Sequence, residues 1–291
     1  MELTRRTFLQ SAGIGAMTMM TTGELGAELL SLKAGEKMPS LFVGHGSPMN
    51  AIEENEYVTG WRNLAYSLPK PKAILVISAH WLTHGTHVLS VAKPETIHDF
   101  YGFPESMYKI TYSAPGAPEL AKETKEILSK TKAVDLADDW GFDHGTWSVL
   151  VRMFPNADIP VYQLSLDVND PPAKHYELAK DLALLRTKGV LIVGSGNIVH
   201  NLRMISFEKS GGFDWAVEFD EKIKSYIETR NDQAVVDYEK LGNAARLSVP
   251  TNDHYLPLLY TLAASDTKEP IAFYNAKTDL GSMSMRSVKI G

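Results

Sequence analysis

The sequence predicts a single α/β domain, a mixed central β-sheet with helices on both faces. Three observations carry that reading. Leu41-Phe42-Val43, Ala73-Ile74-Leu75-Val76-Ile77 and Val190-Leu191-Ile192-Val193 are continuously apolar, as strands covered on both faces must be. Between and after these runs lie segments with apolar residues at helical spacing, so strand and helix alternate. No repeat, low-complexity tract or linker follows Met38, which leaves one domain over residues 37–291.

In order, the first strand ends at Gly44-His45-Gly46-Ser47-Pro48, where glycine permits a sharp turn and proline forbids simple continuation. From about Asn55 to Leu68, Trp61, Leu64 and Ala65 predict a helix, which Pro69 and Pro71 stop. The strand Ala73 to Ser78 runs into Ala79-His80-Trp81, and the alternating Thr86 to Val91 is expected beside it. Pro94 to Pro118 holds too many prolines, glycines and aromatics for a regular element, and loops that long inside a domain are usually functional. Pro118 to Lys130 reads as a helix with proline at its start, Ala133 to Leu136 as a short strand, and Ser148 to Phe154 as a helix. Ile159 to Leu166 is the next strand, Pro171 to Arg186 a helix, and Val190 to Gly194 the third long strand. Phe213 to Arg230 and Asp232 to Leu241 are expected as surface helices. Thr251-Asn252-Asp253-His254 stands where another begins, with Pro257 in its first turn.

Composition narrows the function. A hydrophobic share of 44% in 291 residues supports a large core. The net charge of -6 argues against a nucleic-acid binder, which needs a basic face. No apolar run approaches the roughly 20 residues of a bilayer span. Cysteine is absent, so thiolate metal sites, disulfides and cysteine nucleophiles are excluded. Any metal must be held by His, Asp, Glu or backbone oxygen, and the nine histidines are the candidates.

Residues 1–36 are set apart from the fold. Thr4-Arg5-Arg6-Thr7-Phe8-Leu9-Gln10 resembles a twin-arginine export signal, and a small-residue, moderately apolar stretch follows from Ser11 to Thr22. The expectation is a periplasmic or exported protein that crosses the membrane folded, which suits a cofactor loaded in the cytoplasm. An ordinary basic terminus on a cytoplasmic protein is the alternative.

The three long strands each lead to a histidine: His45, His80 and, across the turn Gly194-Ser195-Gly196-Asn197, His200. In open α/β sheets ligands bind at the carboxyl ends of the strands. A lone histidine there is usually a satisfied core residue, but three such endings suggest a metal site at the strand carboxyl ends. His254 stands beside Asp253 at a helix start, His144 lies in a loop between Trp140 and Trp147, and His98 sits in the long aromatic loop. Each of these read alone is unremarkable in kind. His175, on a charged helix beside Lys174 and Glu177, is expected to be solvated, and His84 and His87 belong to a polar connection. Gly194-Ser195-Gly196 lacks dinucleotide-loop spacing, and Ser47 and Ser195 lack a nucleophile elbow.

Seven stretches together carry a resemblance: Gly44-His45-Gly46-Ser47-Pro48-Met49, Ser78-Ala79-His80-Trp81, Ile97-His98-Asp99-Phe100, Gly102-Phe103-Pro104, Trp140-Gly141-Phe142-Asp143-His144-Gly145, Ser195-Gly196-Asn197-Ile198-Val199-His200-Asn201-Leu202 and Asp253-His254-Tyr255-Leu256-Pro257-Leu258. From about Met38 to Gly291 the chain resembles the DOPA-type, class III extradiol ring-opening dioxygenases. The resemblance implies one mononuclear non-haem metal, Fe(II) or Zn(II), with His45, His80 and His254 on ligand positions. His200 falls on a histidine that is either a further ligand or the acid–base residue, and His144 on one that stands behind the ligands or binds substrate. Related enzymes carry a glutamate where this chain has His254. Two histidines and a carboxylate are typical of Fe(II) oxygenases, whereas an all-histidine set suits Zn(II) equally.

The function so implied is oxidoreductase chemistry, the opening of a catechol ring with O2. His200 and His144 would serve proton transfer, and His98 and Phe100 would bind substrate, with Tyr101 and Phe103 helping to cover the ring. A Zn(II)-dependent hydrolase, or a non-enzymatic metal- or partner-binding protein on the same scaffold, are the alternatives. Expected partners are a small aromatic catechol and O2, with no nucleic acid and no membrane span, and the sequence does not specify an oligomeric state.

Overall fold

The computed structural model describes residues 37–291. The paired-arginine stretch lies outside the described residues. Six strands form the central sheet: β1 (Ser40–Gly44), β2 (Ala73–Ser78), β3 (Val161–Gln163), β4 (Val190–Gly196), β5 (Ile271–Tyr274) and β6 (Ser287–Ile290). Their spatial order is β3-β2-β4-β1-β6-β5. The pairs β3-β2, β2-β4 and β4-β1 are parallel, and β6 runs antiparallel to both β1 and β5. The sheet is mixed and the fold class is the expected one.

Every residue of β1, β2 and β4 is buried, because successive side chains go to opposite faces and both faces are covered. On one face Phe42, Leu75, Ile77 and Ile192 pack with helices α2 (Pro118–Leu128), α4 (Pro172–Ala179), α5 (Asp214–Glu228) and α6 (Leu256–Ala263). On the other, Leu41, Val43, Ile74, Val76, Leu191 and Val193 pack with α1 (Glu56–Tyr66) and α3 (His144–Met153). Helix α6 is buried along its whole length, which explains a sequence with no polar stripe.

Several expectations need correction. Thr86–Leu89 does not join β2 but pairs in parallel with Val134–Ala137 in a separate two-stranded sheet. Alternation marks a strand with one solvated face but says nothing of its neighbour. The strand expected over Ile159 to Leu166 is split into β3 and Leu166–Asp167, which pairs with Leu82–Thr83. The helix expected from Pro171 to Arg186 is broken by a 3-10 turn at Lys180–Leu182. His175 is not solvated: it is 1% exposed, and its Nδ1 lies 2.9 Å from the Tyr260 hydroxyl of α6. The charges around it occupy the outer face of α4 while His175 faces α6. Strands β5 and β6, which complete the sheet beside β1, have no counterpart among the expected elements.

Among the described residues no helix is long and apolar enough to cross a membrane.

Candidate metal centre

The register of the parallel strands builds the site. Gly44 of β1 pairs with Gly196 of β4, and Ser78 of β2 pairs with Ser195. The three strands therefore end level, and the residues that follow emerge from one edge. His45 N–H still bonds the Gly196 carbonyl at 3.1 Å, and Ala79 N–H bonds that of Ser195 at 3.0 Å, so His45 and His80 leave the sheet side by side. Their Nε2 atoms are 3.3 Å apart.

His254 arrives from the opposite direction, just before α6, and docks on the end of β4. Asn197 N–H donates to the His254 carbonyl at 2.8 Å. A Cβ at Gly196 would collide with that carbonyl oxygen, and one at Gly194 with the Pro257 carbonyl. The Gly194-Ser195-Gly196 sequence thus serves close backbone approach, not a phosphate. Helix α3 brings His144 as its first residue. Asp143 caps this helix through Thr146 N–H, 3.1 Å, and its buried carboxylate also accepts from Ser78 Oγ (2.6 Å) and Gln163 Nε2 (2.8 Å). Gly145 then passes so near β2 that a side chain there would strike Ser78 and the His80 ring.

Five histidines converge. The ring centres of His45, His80 and His254 form a nearly equilateral triangle with sides of 5.1, 5.2 and 5.0 Å. Imidazole nitrogens about 2.0–2.1 Å from a tetrahedral ion lie roughly 3.3 Å apart, which puts the ring centres roughly 5 Å apart. The Nε2 atoms of His45 and His80 have that separation, and Nε2 of His254 is buried with no hydrogen-bond partner. The spacing of these three ring centres is that of ligands around a single divalent ion. Among the described residues, the set whose ring nitrogens all lie within 4.8 Å of one another is His45, His80 and His144. It is less regular, since the His144 ring centre lies 3.8 Å from that of His80 but 5.8 Å from that of His45.

Each inward ring is backed at Nδ1. Ser195 Oγ lies 3.1 Å from His45 Nδ1 and donates its proton to the Gly145 carbonyl at 2.5 Å, so it must accept from His45. That fixes the His45 proton on Nδ1 and leaves Nε2 bare. Asp253 contacts Nδ1 of its neighbour His254. The Asp99 carboxylate stands 3.4 Å from His80 Nδ1 and, off the axis of the ring N–H, 2.9 Å from His144 Nδ1. Such partners orient metal-bound histidines and set their tautomer.

Burial, and then the neighbouring imidazoles, hold His45 and His254 well below the ordinary histidine range. Burial lowers His80 to about 3, with His144 adding and Asp99 opposing. It lowers His200 to about 4 against the pull of Asp253. These rings are neutral at pH 7, the form that binds a metal.

His200 lies flat on His254, ring centres 3.5 Å apart and planes within 6°. Ring lone pairs lie in the ring plane, so the nitrogens of these two stacked rings point along parallel planes and do not converge on one point. Its ring nitrogens have no protein partner among the described residues, while its backbone N–H is held by the Ser248 carbonyl at 2.9 Å. Phe100 meets His144 at 5.6 Å between ring centres. His98 lies one layer further out, against Phe100, Tyr108 and Trp147, with Nε2 turned to the Ile110 carbonyl at 3.1 Å. Tyr101 of the same loop is 92% exposed. Asp99 and Ser195 were missed as supporting residues by sequence reasoning. The only signal was their place beside other motif residues, and adjacency along the chain does not reveal that Asp99 meets His80 and His144.

Known proteins resemble this chain in sequence and fold. Residues 39–285 match the family described as the catalytic LigB subunit of aromatic ring-opening dioxygenase. The chain is 46% identical over 261 residues to the 4,5-DOPA dioxygenase extradiol of Escherichia coli K12, covering 88% of this chain and 95% of that one. It is 37% identical over 256 residues to the 4,5-DOPA dioxygenase extradiol of Beta vulgaris, covering 86% and 95%. The crystal structure of an uncharacterized protein from Escherichia coli K12 is similar with a TM-score of 0.76 at 43% identity, covering 87% of this chain and 100% of that chain. The expected resemblance is borne out along nearly the whole described region, and the chain belongs to the LigB family of aromatic ring-opening dioxygenases.

Proposed function

We propose that this protein opens the ring of a catechol with O2 at one divalent metal ion held by His45, His80 and His254, with His200 as the proton-transfer residue. The observation that carries this reading is the regular triangle of three neutral imidazoles, two with Nε2 atoms 3.3 Å apart and the third with an unpartnered buried Nε2. When bound, the metal supplies Lewis acidity toward the catechol oxygens and an electron path between the diol and oxygen.

The protein's own groups supply the rest. His200, neutral and with no ring-nitrogen partner among the described residues, accepts a proton from a catechol hydroxyl and returns it as the ring opens. Its stacking on His254 favours this role over that of a fourth ligand, because the two lone-pair directions do not converge. His144, held by Asp99, is placed to hydrogen-bond substrate or oxygen. Phe100, packed on His144, Phe103 and Tyr108, forms an aromatic wall for the ring and excludes water. His98 acts on substrate through Phe100, which its ring supports.

The test is anaerobic loading with Fe(II), then addition of oxygen and a panel of catechols that includes DOPA. Oxygen uptake with growth of a ring-opened semialdehyde chromophore is expected. Protein that leaves every catechol intact with Fe(II), yet hydrolyses esters with Zn(II), would overturn the reading.

We propose further, from Thr4-Arg5-Arg6-Thr7-Phe8-Leu9 alone, that the protein is exported through the twin-arginine route. A paired Arg5→Lys, Arg6→Lys change should leave it in the cytoplasm with its activity intact, and undiminished export would remove the proposal.

A further inference from the structure

Asp99 occupies an unusual position. It belongs to the long loop between residues 94 and 118, yet it reaches the metal centre from outside the sheet. The loop is pinned there by its backbone: Ile97 N–H and the Phe142 carbonyl, and Phe142 N–H and the Glu95 carbonyl, bond at 2.7 Å each. Trp147 Nε1 adds a bond to the Ile97 carbonyl at 2.8 Å. Two residues later the Asp99 side chain spends both oxygens on the site. Oδ1 accepts the His144 backbone N–H at 2.8 Å, one of the donors that a helix start leaves unpaired. Oδ2 stands between two imidazoles, 2.9 Å from Nδ1 of His144 though off the axis of that ring N–H, and 3.4 Å from Nδ1 of His80.

A carboxylate only accepts, so both rings meet it best with their protons on Nδ1. For His80 this leaves Nε2 bare toward His45. For His144 it leaves Nε2 bare as well, an acceptor on the side away from Asp99. One carboxylate therefore favours the Nδ1–H tautomer in a proposed metal ligand and in the neighbouring histidine. The residue after it, Phe100, packs on His144, so the same short stretch carries both the tautomer control and the aromatic wall.

We propose that Asp99 is the positioning residue of this centre, holding His80 and His144 together in the Nδ1–H form and tying them to the substrate-facing loop. The inference rests on the proposed function of the site for the identity of the ligands. An asparagine at this position keeps the shape and can still accept the His144 backbone N–H. Its amide nitrogen, however, would face two ring N–H donors, and one ring must then shift its proton to Nε2 or turn away.

The experiment uses the full chain, metal-free, as wild type and Asp99→Asn. Zinc affinity is measured by competition with a chromogenic chelator, histidine tautomers by nitrogen NMR, and folding by thermal melting. Loss of a partner behind a metal-bound histidine typically costs about 10–100-fold in affinity, and that loss is expected with a melting temperature near that of wild type. The NMR should show an Nε2–H histidine absent from wild type. Zinc affinity within about twofold of wild type, or an unchanged tautomer pattern, would overturn the proposal. If Asp99→Asn fails to fold, Asp99→Glu replaces it, which keeps the acceptor and should retain affinity better than Asp99→Ala; equal affinities in those two would also overturn it. Wild-type protein that binds zinc through this arrangement but never consumes oxygen with Fe(II) would sink the dioxygenase reading and leave the positioning role standing.

Discussion

His200 differs from its neighbours in that nothing among the described residues holds its ring nitrogens, although its face is fixed against His254. Replacing it with glutamine keeps a flat polar side chain but removes a base. His200→Gln should retain one metal per chain and bind catechol, with turnover reduced by roughly 10²–10⁴. Metal content and turnover on one preparation decide this, and activity falling only in proportion to lost metal would make His200 a ligand instead. The same buried rings set a pH dependence. His45, His80, His200 and His254 are held below the usual histidine range by burial, His80 at about 3 and His200 at about 4. Below about pH 6.5 the unfolded chain takes up protons that the folded chain refuses, so stability falls as pH drops from there toward the folded values. Melting of the metal-free protein should therefore occur at lower temperature at pH 5 than at pH 7. A midpoint that holds steady or rises on acidification would contradict the neutral-ring description.

Among the elements, α3 (His144–Met153) is the one whose end position matters most, because its first residue is in the site. Asp143 does three things for it: it caps Thr146 N–H, accepts from Ser78 of β2, and accepts from Gln163 of β3. Burial, and the nearby charge of Asp99, push its carboxyl above the usual aspartate range, while the Ser78 and Gln163 donors pull the other way. Asp143→Ala removes the cap and leaves two buried donors unpaired. The expected loss is roughly 2.5–8 kcal/mol, from about 0.5–2 for the cap and about 1–3 for each of the two unpaired buried donors. Urea unfolding measures it, and a loss below about 0.5 kcal/mol would mean that the helix start is held by other contacts.

On the scale of the whole molecule, the end of the sheet away from the site is closed by Arg186. Its side chain is fully buried and donates to the carbonyls of Met38 at 2.7 Å, Ala264 at 2.8 Å and Ile290 at 3.3 Å, while pairing with Glu269 at 2.8 Å. It thereby joins the start of β1, the end of α6 and the end of β6. Arg186→Met should destabilise the fold by about 3–5 kcal/mol, the usual cost of removing one partner from a buried ion pair. Because the change lies at the opposite end of the strands, the variant that remains folded at low temperature should keep its metal affinity. Thermal melting with zinc titration separates the two effects, and lost affinity in fully folded protein would show that the two ends are coupled.

Much of this was readable from the residues alone. Continuous apolar runs require strands covered on both faces, and that requirement predicted the sheet core β1, β2 and β4 and the helices around it. Histidines placed directly after those runs had to emerge at one edge of the sheet, so His45 and His80 could be named together before any coordinates. Strands β5 and β6 were not legible, because the short edge strand β5 is only partly buried and β6 lies in a Met- and Ser-rich stretch without clear alternation. His175 was misread because a helix's local charge does not say which face meets α6. Above all, the sequence could list five histidines of the site but not their arrangement. That His45, His80 and His254 form the triangle, that His200 lies flat on His254, and that Asp99 stands behind two rings follow from level strand ends and a loop docked across long stretches of chain. Such relations are set by packing between distant segments, and no local pattern of residues encodes them.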